Sequence, residues 1–294
     1  MNTTERSKKT PILPFGTDKL KAYFYLTVIM TLIVTVIRTV SILTLFESDI
    51  GYYVNGAFLP KLQVILMILS AAMMISVFFI KKKGELPKER PVGAQLPTFA
   101  AFLCGTVHIS SGALLVMYQR TGLNLPTVII LVGFAAAAVH FFYDSLCPAE
   151  KKSPYSVLLS IVAVVGLIAV VAKAHLDYTV TLNNPNKNML FLTLGAICLF
   201  IVQEMRYTVG IPQPRMYVCI SSIAMMLSFA HSIPGIIGHY ANKLSGGDFL
   251  IYYIITFAYG VYIFTRLFTF IKFAEYKDGD EDDDTTAESL GDTE

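Results

Sequence analysis

The chain has 294 residues, of which 54% are hydrophobic and 15% charged, with 23 Lys and Arg against 21 Asp and Glu. Its charges are confined to short connectors between long apolar runs, which excludes a water-soluble fold built on one core. A formal net charge of +2 distributed in this way offers no contiguous basic stripe for nucleic acid.

Residues 1–20 are polar and basic and read as a cytoplasmic N-terminal tail. The first apolar run, Lys21 to Phe46, is too long for a signal-peptide core and has no small-residue cleavage site after it, so it is expected to stay attached. Further runs follow at Phe58 to Ile80, Leu96 to Tyr118, Pro126 to Asp144, Tyr155 to Leu176, Asn188 to Glu204, Arg215 to Ile233 and Phe249 to Phe273. Each is close to the roughly 20 residues needed to cross about 30 Å of hydrocarbon. Read as eight spans, they place 17 of the 23 basic residues on one side, including Lys81, Lys82, Lys83, Lys88 and Arg90 in the longest connector. Arg120, Lys173, Lys187 and Lys243 fall on the other side, and Arg38 and Lys61 within spans. Basic loops are retained in the cytoplasm, so both termini are expected there.

The fold class predicted is therefore all-α: a polytopic integral membrane bundle of eight transmembrane helices, arranged as four hairpins, N-in and C-in. The membrane domain covers 21–274. Residues 275–294 carry a run of Asp and Glu with almost nothing apolar to bury, and are predicted to be a disordered acidic cytoplasmic tail. That tail does not follow an EF-hand: counted from Asp278, the sixth and twelfth positions are Asp283 and Ser289 rather than Gly and Glu.

Two connectors share a pattern, Leu123-Asn124-Leu125-Pro126 and Leu182-Asn183-Asn184-Pro185, each just before an even-numbered span. With Gly133, Gly195 and Gly260 in the middle of spans four, six and eight, this suggests hairpins related by duplication and close helix contacts. The chain has no Trp. Tyr52, Tyr53, Tyr118 and Tyr178 are assigned to the outer aromatic belt, and Tyr143, Tyr155, Tyr207 and Tyr217 to the inner one. Cys104, Cys198 and Cys219 within spans and Cys147 in an inner loop leave no outer pair for a disulfide.

Ionisable residues at membrane depth are costly and mark candidate sites. The outer group comprises Arg38, Lys61, Lys173 and His175, with Arg120, Glu47, Asp49 and Asp177 beside them. Such a group either lines a vestibule for an anion or zwitterion or serves as interfacial anchors that snorkel to the headgroups. His231, Pro234 and His239 extend it: a proline followed by Gly235 and Gly238 predicts a break in span seven or its end, and broken helices are where transporters hold substrate. The inner group comprises His140, Asp144, Glu204 and Arg266, near Gln203 and Arg206. His140 and Asp144 share a helix face, and Glu204 and Arg266 are placed to pair across helices. A structural network and a proton relay are both compatible with these residues.

No catalytic pattern emerges. A metalloprotease helix needs His-Glu-x-x-His, and no histidine here precedes a glutamate. The expectation is a non-enzyme without metal or cofactor, in a plasma membrane, with compact loops that suggest a prokaryotic cell. Its expected partners are the lipid bilayer and either a small anionic or zwitterionic solute or another membrane protein. Two functions stay open: a non-catalytic accessory, sensory or assembly protein, and a small-solute transporter or membrane substrate-binding subunit with an outward-facing polar site.

Overall fold

Hydrocarbon supplies no hydrogen-bond partner, so an apolar run must close its backbone bonds within itself, and for a single segment only the helix does so. A computed structural model describes residues 19–79, 94–118, 124–146, 154–177, 183–244 and 247–288, without side-chain detail at 19, 247, 248 and 273–288. The helices are α1 (Lys19–Leu45), α2 (Phe58–Ile75), α3 (Gln95–Tyr118), α4 (Leu125–Leu146), α5 (Pro154–Leu176), α6 (Pro185–Val209), α7 (Pro214–Tyr240) and α8 (Gly247–Glu288). A 3-10 turn, Ser76–Phe79, extends α2. Between α1 and α2, strands β1 (Phe46–Glu47) and β2 (Tyr52–Tyr53) pair antiparallel. Among the described residues, eight helices are long and apolar enough to cross a membrane.

Helix starts follow local chemistry. Pro154, Pro185 and Pro214 open α5, α6 and α7, where a residue without an N–H costs no intrahelical bond. Asn184 caps α6 by accepting from the backbone N–H groups of Asn186 and Lys187, and Asn124 caps α4 by accepting from that of Thr127. The caps do not align in the apparent repeat: Asn124 stands two residues before its proline and Asn184 one. Gly210 ends α6 at φ +83°, a left-handed conformation that suits glycine.

α3 to α8 close into a ring. Each touches the next in sequence, α8 returns onto α3, and α1 packs against α7 with α2 against α1. α7 and α8 are the most enclosed, with 72% and 67% of their apolar windows buried against 22% for α2. Within the ring, edge-to-face contacts join His108 to Phe134 and Tyr259, and Phe141 to Tyr259 and Tyr262. Val64, Ile65, Ile68 and Leu69 on α2 are exposed, a surface suited to lipid.

Two expectations change. α7 does not break at Pro234 or end there, but continues as helix to Tyr240. Only the Ala230 carbonyl loses an N–H donor to the proline ring, and the buried packing of Pro234 and Gly235 holds the remaining turns. α8 runs on through acidic residues to Glu288; adding turns to an existing helix avoids the nucleation cost. Of the mid-span glycines, Gly195 is exposed with no atom within 4 Å of where a Cβ would stand.

Gly133 and Gly166, by contrast, face each other so closely that a Cβ on either would collide with the other's Cα. Gly166→Val is therefore expected to lower stability by about 1–3 kcal/mol or more by overpacking α4 against α5. Gly195→Val, scored in the same thermal melt of detergent-purified protein, should stay within about 0.5 kcal/mol. Equal losses at the two positions would contradict the close α4–α5 approach.

Candidate functional site

Many polar residues in the spans are accounted for by their own helix. Thr31, Thr35 and Thr39 donate to the carbonyls of Thr27, Thr31 and Thr35, and Ser70, Ser221 and Thr256 donate one turn back in the same way. Two clusters of the groups that this device leaves over stand at the ends of the bundle, the end carrying β1 and β2 and the far end; between them His108 Nε2 and the Tyr259 hydroxyl are also buried without a protein partner.

At the far end the bonds are made between helices. Arg266 on α8 pairs through Nη2 with Asp144 on α4. One turn earlier, the Tyr262 hydroxyl donates to Asp144 Oδ2 at 2.9 Å and accepts from Arg266 Nε at 2.9 Å. The guanidinium also lies 5.2 Å from the Tyr262 ring centre. On α7, the Tyr217 hydroxyl donates to Glu204 at 2.6 Å. The expected Glu204–Arg266 pair is thus replaced by two others, because each carboxylate has a tyrosine hydroxyl on a neighbouring helix to fix its direction. Tyr217 belongs to this network, being 4% exposed, and not to an interfacial belt. His140 reaches α5, where the hydroxyls of Ser156 and Ser160 lie 3.2 and 3.3 Å from Nδ1. The bonds found at His140 and Asp144 run to different helices.

At the β end the arrangement differs. Arg38 on α1 is 3% exposed and donates through Nη2 to Asn186 Oδ1 at 2.7 Å. Its Nε has no protein partner, nor does Asn186 Nδ2, whose identity as the donor end follows from the bond to Oδ1. His231 on α7 is fully buried, with neither ring nitrogen partnered. It stands on α7, which packs against α1 so closely that a Cβ on Gly238 would meet Ile42, one turn beyond Arg38, and its ring centre is 4.9 Å from that of Tyr253 on α8. The buried Tyr53 hydroxyl is also unpartnered. Among the described residues no carboxylate pairs with Arg38.

Local structure builds this cluster. Asn186 is the second residue of α6, held by the Asn184 cap. The Asn184 side chain also donates to the Gly51 carbonyl at 2.8 Å, docking the β1–β2 connection onto the start of α6. Gly51 takes φ +78°, and a Cβ there would meet Asn184 Nδ2 at 2.9 Å. Tyr53 is carried in by the same strand pair and packs edge-on against buried Phe46, ring centres 5.4 Å apart. The Tyr253 ring leans on Gly235, where a Cβ would collide with it.

Of the outer candidates, Arg38 and His231 are both buried on the packed pair α1 and α7, with Pro234 buried one turn along α7. Lys61 lies on an exposed face of α2, and His175 is exposed at the end of α5. His239 is half-buried and packs against Tyr240. Lys173 is half-buried in the last turn of α5, and Arg120 lies outside the described residues. Lys187 is fully buried, and its ammonium donates to the carbonyls of His175 and Asp177 at 3.3 and 2.9 Å. Asn186, Tyr53, Tyr253, Tyr217 and Tyr262 escaped the reading by charge. The i, i+4 spacing of Tyr262 and Arg266 was the available signal for one of them. Comparison with family models, curated proteins and solved structures finds no match.

Removing one member of a buried ion pair strands the other, at a cost of about 3–5 kcal/mol. Asp144→Leu and Arg266→Leu are each expected to be that destabilising in a denaturant titration of the purified protein. The double variant should recover a large part of the loss, whereas additive losses would reject the pair.

Proposed function

We propose that the protein is a non-catalytic solute-binding membrane protein, a small-solute transporter or the membrane binding subunit of one, with its site around Arg38 in the outer half. The observation that carries this reading is a buried guanidinium with one protein hydrogen bond and no carboxylate, beside a buried imidazole with both nitrogens free of protein partners. Leaving such donors unused costs about 1–3 kcal/mol each, more when charged. An accessory or assembly role accounts for the far end, whose pairs satisfy one another. It supplies no reason to retain Arg38 and His231 together at depth.

The distribution of basic residues supports an orientation in which the β end faces outward and both termini are cytoplasmic, in a plasma membrane. In a cysteine-free background, single cysteines at exposed Asn55 and Asn124 should react with an impermeant maleimide in intact cells, and one at Glu85 should not. Labelling at 85 would reverse or break the eight-span orientation.

For the site itself, native mass spectrometry of gently purified protein is expected to show a retained small molecule that Arg38→Gln releases without loss of folded yield. Wild-type protein that carries no adduct, and is stabilised by no solute in a broad metabolite panel, would favour the accessory reading instead.

A further inference from the structure

The donors and charges at the Arg38 site specify more than solute binding. Resting on the reading of this cluster as a solute site, we infer that its ligand is a small hydroxycarboxylate carrying a single negative charge. Three buried donors at this end of the bundle have no protein acceptor: Arg38 Nε and Asn186 Nδ2, whose side chains are bonded to each other, and the hydroxyl of Tyr53, on the connection that Asn184 docks to the start of α6. Acceptor-rich oxygens complement them, and a planar carboxylate matches the guanidinium edge.

Charge sets the valence. Arg38 is the cation with an unused donor in this cluster; the ammonium of Lys187, one residue beyond Asn186, is turned toward the carbonyls of His175 and Asp177. One negative charge therefore balances the Arg38 guanidinium, while a dianion at that group brings a second charge to desolvate in a low-dielectric interior. A zwitterion leaves Arg38 uncompensated in net terms. The start of α6 adds its partial positive charge on the same side.

His231 supplies the second requirement. A neutral imidazole has one N–H donor and one lone-pair acceptor, and both are unpartnered here at full burial. A carboxylate has no proton to give the acceptor nitrogen. A hydroxyl on the ligand donates to it, so the pair of groups, carboxylate toward Arg38 and hydroxyl toward His231, satisfies what the protein leaves open. The Tyr253 ring beside His231 provides the apolar wall for a short carbon chain.

The test is isothermal titration of purified wild-type protein with lactate, acetate, glycine, sulfate and choline, with native mass spectrometry on the same preparation. Lactate is expected to bind about tenfold more tightly than acetate, the worth of one well-made hydrogen bond, and the other three weakly or not at all. His231→Leu should bring the lactate-to-acetate ratio to about one while acetate binding persists, and Arg38→Gln should abolish both. Stronger binding of glycine, sulfate or choline than of lactate would overturn the inference. So would a His231→Leu protein that keeps the tenfold preference; if that variant does not fold, the wild-type order of affinities decides alone. A retained adduct of another chemical class, with no binding of either acid, would sink the hydroxycarboxylate assignment and leave the solute reading standing. No adduct and no binding would sink both.

Discussion

A polar group inside a membrane protein has no bulk water to fall back on, and that constraint orders this bundle. Hydroxyls along α1 and α7 fold back onto their own helix carbonyls. Asp144, Arg266 and Tyr262 satisfy one another across α4 and α8, and Glu204 takes the Tyr217 hydroxyl. The Arg38 cluster is built to a different pattern: one bond to Asn186 holds the guanidinium in place, and the remaining buried donors have no protein acceptors. The first pattern is what a structural network requires. The second is what binding requires, since donors spent on protein acceptors are not free for a ligand.

Packing explains why such a cluster can be held. α7 and α8 are the most enclosed helices, and each supplies a side chain to the site, His231 and Tyr253. α6 begins at the site rather than crossing it, so Asn186 is presented by a capped helix start whose geometry Asn184 and Pro185 set. The β1–β2 connection is tied to the same cap through Gly51, bringing Tyr53 over the cluster. A change at Gly51 or Asn184 thus reaches the site through the backbone, without touching the proposed ligand.

The spans were legible because an apolar run of membrane length has few alternatives, and their ends shifted where polar residues continue a helix past its apolar part. α6 reaches Val209 for that reason. Pro234 was misread because proline removes one hydrogen bond, while the packing that keeps the helix intact around it comes from α1 and α8, which no local pattern reports. Arg266 was assigned to Glu204 by depth alone. Two carboxylates at similar depth were on offer, and the choice depended on which hydroxyl stood beside each. Arg38 and His231 were picked out as costly residues, but Asn186, Tyr53 and Tyr253 carry no charge and gave no signal until the helices were placed.

The most direct measurement is a high-resolution structure of the protein prepared in a lipid nanodisc without competing carboxylate buffers, read at Arg38. The account predicts that the guanidinium is buried against Asn186, with non-protein density bridging Arg38 Nε and His231. Density showing Arg38 paired with a protein carboxylate, or extended to the headgroup region away from His231, would contradict it.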